Sequence, residues 1–213
     1  MKTDALIDLL ATGAGPVPRY ATSRRLLAAA TIGTAGALLL LWIVFGINPA
    51  LQADAARVPF WLKLAFAMAL AGAGLLLCNR LARPGVPVGA AVWAALLPLL
   101  AMWLLGALAL IEADSPARAQ LLFGASWRVC PFNITLLSLP AFAASVWAMR
   151  GLAPTDTRRA GAVAGFGAGS LGAVVYCLHC TEYAAPFIGI WYVIGILIPS
   201  VAGFVLGPRL LRW

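Results

Sequence analysis

Long apolar stretches that carry charged residues mainly at their ends dominate this chain. A helix of roughly 20 apolar residues is long enough to cross the hydrocarbon core of a bilayer. Six stretches meet this length, and they cover residues 26–47, 60–78, 86–111, 131–149, 160–178 and 186–207. The pattern therefore predicts an all-α polytopic membrane protein: a bundle of six transmembrane helices in residues 26–213, preceded by a polar and amphipathic segment in residues 1–25.

The positive charges predict how the spans are oriented. With the N-terminus in the cytoplasm, 11 of the 15 lysines and arginines lie on the inner side. These are Lys2, Arg19, Arg24, Arg25, Arg80, Arg83, Arg150, Arg158, Arg159, Arg209 and Arg212. Cytoplasmic connections of membrane proteins carry the excess of basic residues. We therefore expect both termini to be cytoplasmic, and in a bacterium the membrane would be the inner one.

Composition excludes several classes of protein. The chain is 63% hydrophobic and 10% charged, with a mean hydropathy of +0.95, whereas soluble domains contain about 25% charged residues. The net charge of +8 does not indicate direct nucleic-acid binding, because the basic residues are spread over the ends of the spans. No ionisable residue lies near the middle of a span, as a pump would require. No catalytic motif is present, so we predict neither an enzyme nor a resident cofactor.

Glycines crowd the fifth span. Gly161, Gly165, Gly167, Gly169 and Gly172 follow one another at short intervals, with small residues four apart. Small residues let transmembrane helices approach closely, where no hydrophobic effect drives association. Packing within the chain is the main interpretation, and a homodimer interface is the alternative.

Three of the four cysteines are predicted at the outer ends of spans, and Cys78 at an inner end. Cys130 precedes Pro131, a favoured first helical residue, and Arg128 is nearby. A helix N-terminus and a neighbouring cation both favour the reactive thiolate. Cys177 and Cys180 are three residues apart, so a continued helix would place both on one face. We expect water and oxidants to reach Cys130 and Cys180, and we expect Cys78 to be a packing residue.

The stretch "YCLHC" at residues 176–180 leaves three interpretations open. It could be a few small residues at the end of a helix, a redox switch, or part of a soft-metal site formed by Cys130, Cys180 and His179. A structural zinc site would require four ligands at familiar spacings, which this chain does not offer. A disulfide is equally natural in an oxidising compartment. Lys63, near the outer end of the second span, is expected to extend toward water.

The first residues predict a short amphipathic helix with an acidic edge. Its apolar residues are Leu6, Ile7, Leu9 and Leu10, and its acidic residues are Asp4 and Asp8. Such a helix can dock in a groove of a basic partner. The alternative is a helix on the membrane surface, although such helices prefer lysine and arginine on their polar face.

Several blocks of the sequence resemble the NrsF-type membrane anti-sigma factors. They are "LIDLLA", "PVPR", "WRVC", "LSLPAF", "WAMRGLAPT", "LHCTE" and "GPRLLRW", and they extend over nearly the whole chain. The resemblance implies a six-helix inner-membrane protein that holds an extracytoplasmic-function sigma factor inactive. It implies that Cys130 in "WRVC" and Cys180 in "LHC" are sensor thiols. Cys177 is a further candidate outside the family pattern.

With this resemblance, the first helix becomes the predicted sigma-factor contact, through Asp4, Leu6, Asp8, Leu9 and Leu10. The outer cysteines would respond to metal or oxidative stress, with transient binding of a soft metal ion as one route. A competing hypothesis is a membrane thiol-disulfide oxidoreductase that passes electrons to quinone. That enzyme would be expected to use two pairs of outer cysteines, and the chain offers three outer cysteines.

Overall fold

The computed structural model describes residues 3–12, 20–83 and 85–212, and these form helices joined by short connections. None of the described residues forms a β-strand. The helices are α1 (Thr3–Thr12), α2 (Ala21–Val44), α3 (Leu51–Asp54), α4 (Val58–Leu81), α5 (Trp93–Glu112), α6 (Ser115–Phe123), α7 (Cys130–Arg150), α8 (Thr157–Tyr176), α9 (Ala185–Phe187) and α10 (Val193–Leu210). A 3₁₀ turn at Gly89–Val92 leads into α5, and a π-helical turn at Ile188–Tyr192 joins α9 to α10.

Within the part of the chain that the structure describes, five helical segments are long and apolar enough to cross a membrane. They are Ala21–Val44, Val58–Leu81, Gly89–Glu112, Cys130–Arg150 and Ala185–Leu210. These five agree with five of the six predicted spans. The remaining predicted span is α8, whose 20 residues would extend about 30 Å at 1.5 Å per residue. That length is sufficient, but glycines make α8 less apolar, and its crossing stays a prediction.

Helix α8 lies at the centre of the bundle, in contact with α2, α4, α7 and α10. Most of its residues are buried by these neighbours. In a membrane, a helix shielded in this way would face protein on most sides, so it does not need the large apolar side chains that lipid contact favours. By contrast, α5 exposes many large side chains, among them Leu97, Leu100 and Leu104.

The glycines of α8 bring helix backbones into direct contact. A Cβ atom added to Gly169 would lie 2.8 Å from the Ile196 carbonyl oxygen on α10. One added to Gly74 on α4 would lie 2.5 Å from the Gly167 Cα atom. Real Cβ atoms do not approach other atoms this closely, so only glycine fits. The prediction that these glycines pack helices within the chain is confirmed.

The bundle has two ends, and the cysteines divide between them. We call one the thiol end, formed by residues 45–57, 113–129 and 177–184. The opposite end is formed by residues 82–83, 85–88, 151–156 and 211–212. Cys78 is buried near the opposite end, in a core cluster with Leu26 and Ala29, as expected of a packing residue. Cys130, Cys177 and Cys180 belong to a different cluster.

Both boundaries of the first span differ from the prediction for local reasons. Helix α2, the first of the spans, begins at Ala21 rather than near residue 26, so that Arg24 and Arg25 are helical. The Arg25 guanidinium lies 4.8 Å from the centre of the Trp147 ring on α7, which accommodates its charge at the rim of the bundle. The same helix ends at Val44, because Gly46 takes a positive φ of 72°.

Some predicted features lie outside the described residues. These are Lys2, Arg19, the rest of segment 13–19, Trp213, and the side chains of Leu9 and Leu10.

Candidate thiol site

Three cysteines from separate parts of the chain meet at the thiol end. Cys130 is the first residue of α7, Cys177 follows the last residue of α8, and Cys180 lies in the connection to α9. All three belong to one buried cluster. The sequence predicted that these thiols share one face of the molecule. The structure brings them together in one site.

The turn after α8 determines where Cys180 lies. The regular helix α8 ends at Tyr176. The amides of His179 and Cys180 both donate to the Tyr176 carbonyl oxygen, each at 3.0 Å. These are bonds to the residue three and four positions earlier, so the chain makes one further helix-like turn after Tyr176, and this turn places Cys180 in the cluster.

The thiols are buried, and the expectation that water reaches them is wrong for this structure. The exposed fraction is 0% for Cys130, 1% for Cys177 and 4% for Cys180. An aromatic cover adjoins the cluster: Trp127 precedes α7 and packs on Trp191, with ring centroids 5.1 Å apart. Sequence placed the cysteines at helix ends, but connections between helices cover these ends. Reagents can reach the thiols only when part of this cover moves.

Cys177 differs from the other two cysteines in its hydrogen bonding. Its thiol donates to the Ala173 carbonyl oxygen one turn earlier in α8, at 3.2 Å. This bond directs the sulfur toward its own helix. Among the described contacts, the thiols of Cys130 and Cys180 make no comparable hydrogen bond to a helix backbone.

The cation that is buried beside the thiol cluster is Lys63, not Arg128. The guanidinium of Arg128 lies 5.1 Å from the centre of the neighbouring Trp127 ring. Lys63 is 0% exposed, and its ammonium is bonded to the backbone of Cys180. The sequence suggested that Lys63 would extend to water, and this is wrong. The signal available was a single charge inside an otherwise apolar stretch, which marks a functional residue in membrane helices.

Lys63 is bonded to the segment that carries Cys180. Its ammonium donates to the Cys180 carbonyl oxygen at 2.6 Å and to the Glu182 carbonyl oxygen at 3.1 Å. It also lies 4.2 Å from the centre of the Tyr183 ring. Burial and the nearby Asp54 carboxylate raise the pKa of the Tyr183 hydroxyl.

Glu182 connects this segment to a second connection of the thiol end. One of its carboxylate oxygens accepts a hydrogen bond from the Ala125 amide at 2.7 Å. Gly124, next to it, has a positive φ of 54°, and a Cβ atom there would lie 2.7 Å from the Glu182 carboxylate. This hydrogen bond therefore joins the turn at residues 124–125 to the Cys180 segment at the thiol end.

His179 packs against the connection that follows α2. Its Nδ1 atom lies 3.1 Å from the Gly46 carbonyl oxygen, and its ring packs against Phe45 and Tyr176. Within residues 3–12, 20–83 and 85–212, no three His, Cys, Asp or Glu side chains lie close enough to hold a metal ion. The suggested set of Cys130, Cys180 and His179 is thus not assembled as a three-ligand site. Metal binding by the two thiols stays a prediction.

The amphipathic helix α1 precedes α2, and α2 begins at the opposite end of the bundle. Its described side chains from Thr3 to Asp8 are all exposed, with Leu6 at 41% and Ile7 at 57%. Asp4 lies in its first turn, where a negative charge is favourable. The helix was predicted from the sequence, and the structure gives it an exposed apolar surface beside acidic residues.

A bundle with five apolar helices of spanning length, joined by short connections, defines a multi-pass helical membrane protein. Residues 10–213 match the family model described as negative regulator of sigma F. The chain is 45% identical to the probable anti-sigma-F factor NrsF of Azospira oryzae and 37% identical to the anti-sigma-F factor NrsF of Caulobacter vibrioides. Each comparison covers 100% of both chains. No solved structure matches this chain.

The chain belongs to the NrsF family of negative regulators of sigma F. The resemblance drawn from the sequence blocks is therefore confirmed. Both relatives are named as anti-sigma factors, which are regulatory proteins.

Proposed function

We propose that this protein holds an extracytoplasmic-function sigma factor inactive at the bacterial inner membrane and releases it when Cys130 and Cys180 react with an oxidant or a soft metal ion. The names of the two relatives support a sigma factor as the partner. The observation that carries the sensing role is the burial of three thiols in a single cluster, next to the buried ammonium of Lys63, which is bonded to the Cys180 carbonyl oxygen.

Helix α1 supplies the surface for the partner. Leu6 and Ile7 are exposed, and a groove on another protein can bury them. Asp4 and Asp8 match the basic surface expected of a factor that binds DNA, and such charges raise the association rate more than the affinity. Leu9 and Leu10 extend the apolar pattern in the sequence.

Cys130 and Cys180 supply the reaction. Oxidation to a disulfide forms one S–S bond and transfers two electrons to the oxidant, while two protons leave the thiols. A soft metal ion would instead displace the two protons and bind both sulfurs. Cys177 is less suited to either reaction, because its thiol is hydrogen-bonded to its own helix.

The function requires the thiol end to face outward and α1 to face the cytoplasm, with α8 as the sixth crossing. The 11 basic residues assigned to the inner side support this topology. We expect reporter fusions after Arg83 and Arg159 to be active in the cytoplasm, and fusions near Ala53 and Asp114 to be active in the periplasm. A cytoplasmic signal at Asp114 would reverse the topology and exclude an outward-facing sensor.

Affinity purification of the intact protein from solubilised membranes tests the partner. We expect a sigma factor of the extracytoplasmic-function class to copurify from unstressed cells and to be lost after treatment with a thiol oxidant. Absence of any sigma factor from the purified protein, at normal membrane levels, would contradict the proposal. The thiol oxidoreductase alternative is not favoured, and it would require the purified protein to reduce quinone.

A further inference from the structure

Lys63 is a charged side chain buried inside a membrane bundle. Within the described part of the chain, no carboxylate lies within ion-pair distance of its ammonium. Burying an ammonium without partners is costly, so its hydrogen bonds must compensate. An ammonium has three donors, and this one donates to two carbonyl oxygens and lies over one aromatic ring. The partners of Lys63 therefore all belong to residues 180–183.

These partners form the segment that closes over the thiols. Residues 180–183 connect α8 to α9 without regular structure, so the backbone has few hydrogen bonds of its own here. The Cys180 and Glu182 carbonyl oxygens, two residues apart, converge on one ammonium. The segment joins α8 to α9, whereas Lys63 lies on α4. Lys63 therefore fixes the segment to a third helix.

We propose that Lys63 is a positioning residue that holds the Cys180 segment closed over the thiol cluster. For its part in sensing, this inference rests on the proposed function. Reaction at Cys180 displaces the segment, and its two carbonyl oxygens then leave the ammonium. The buried ammonium then lacks hydrogen-bond acceptors. The thiol end of α4 therefore rearranges until the ammonium is bonded to water or to new acceptors. Helix α4 extends to the opposite end of the bundle, where α2 begins, which connects the thiol chemistry to that end.

The rate at which Cys180 reacts with a maleimide tests the closed segment directly. The purified protein in detergent is used, and modified peptides are quantified by mass spectrometry. We expect Lys63→Met, which keeps the chain length but removes the charge and donors, to raise the rate at Cys180 at least about tenfold. Arg57→Met is the matched control. It removes a cation from the same end, where Arg57 is exposed and makes one ion pair with Asp54, and it should leave the rate unchanged.

A wild-type labelling rate in folded Lys63→Met protein would overturn the proposal. If Lys63→Met does not accumulate, Lys63→Gln decides, because its amide retains donors but carries no charge. An intermediate rate, about threefold above wild type, supports the closed segment, and a wild-type rate contradicts it.

A sigma-dependent reporter in cells separates this inference from the proposed function. We expect Lys63→Met to raise the unstressed signal several-fold. Faster labelling with a reporter that stays silent, even after oxidant treatment, would support the closed segment and contradict the link from the thiols to the sigma factor.

Discussion

Replacing Leu6 and Ile7 together by serine is expected to release the sigma factor and to activate its target genes in the absence of stress. Each side chain that becomes buried in a partner groove contributes roughly 1.5–3 kcal/mol. Loss of two such contacts weakens binding by about 100-fold or more, since 1.4 kcal/mol corresponds to a factor of ten. The reporter signal should approach that of a strain that lacks the protein, and copurification of the sigma factor should be lost.

The matched control uses the same helix and the same new residue. Ala5→Ser with Ala11→Ser changes two exposed positions of α1 and removes little apolar area. It should leave repression intact. Membrane levels of both variants must be measured, because loss of the protein would also activate the reporter. Full repression by the Leu6 and Ile7 variant at normal levels would mean that the partner binds elsewhere on the inner side, at the basic connections near Arg83 or Arg158.

Replacing Cys130 or Cys180 by serine is expected to abolish the response to thiol oxidants and soft metal ions, while repression in unstressed cells persists. Serine cannot form a disulfide, and its hydroxyl binds soft metals poorly. Each single variant should lose the response almost completely, because the proposed reaction requires both sulfurs. The measurement is reporter activity against the concentration of oxidant or metal.

Two other cysteines provide the controls. Cys78 lies in the separate core cluster, so the Cys78→Ser variant should respond as the wild type does. Cys177→Ser can keep a hydrogen bond to the Ala173 carbonyl oxygen and should also respond. A normal response by the double variant at Cys130 and Cys180 would show that these cysteines only pack the bundle.

The spans were predictable because their signal is a simple count of apolar residues. Five of them appear where the sequence placed them, within a few residues. The glycines of α8 were also informative, since their spacing predicted close helix contacts. The boundary at Val44 depended on the backbone at Gly46, and the π-helical turn at Ile188–Tyr192 has no comparable sequence signal.

The thiol site was predictable in its members but not in its surroundings. Topology placed Cys130 and Cys180 at one end, but their burial depends on Trp127 and on the turn after Tyr176. Lys63 shows most clearly what the sequence alone could not predict. A hydropathy pattern gives the depth of a lysine in the membrane, whereas its partners at residues 180 and 182 lie more than 100 positions away. Long-range partners of this kind are not encoded in local periodicity.

Helix α8 contacts its neighbours at glycine residues, so the backbones of two helices are in direct contact with almost no side chain between them. Flexible side chains could absorb a small displacement, but a contact between backbones cannot. Closely packed interiors pass between a few discrete arrangements rather than deforming continuously. If α8 takes part in the response, we expect a single molecule either to keep its partner or to have lost it. The output of a cell would then be set by the fraction of molecules in each arrangement, and a graded dose would change that fraction.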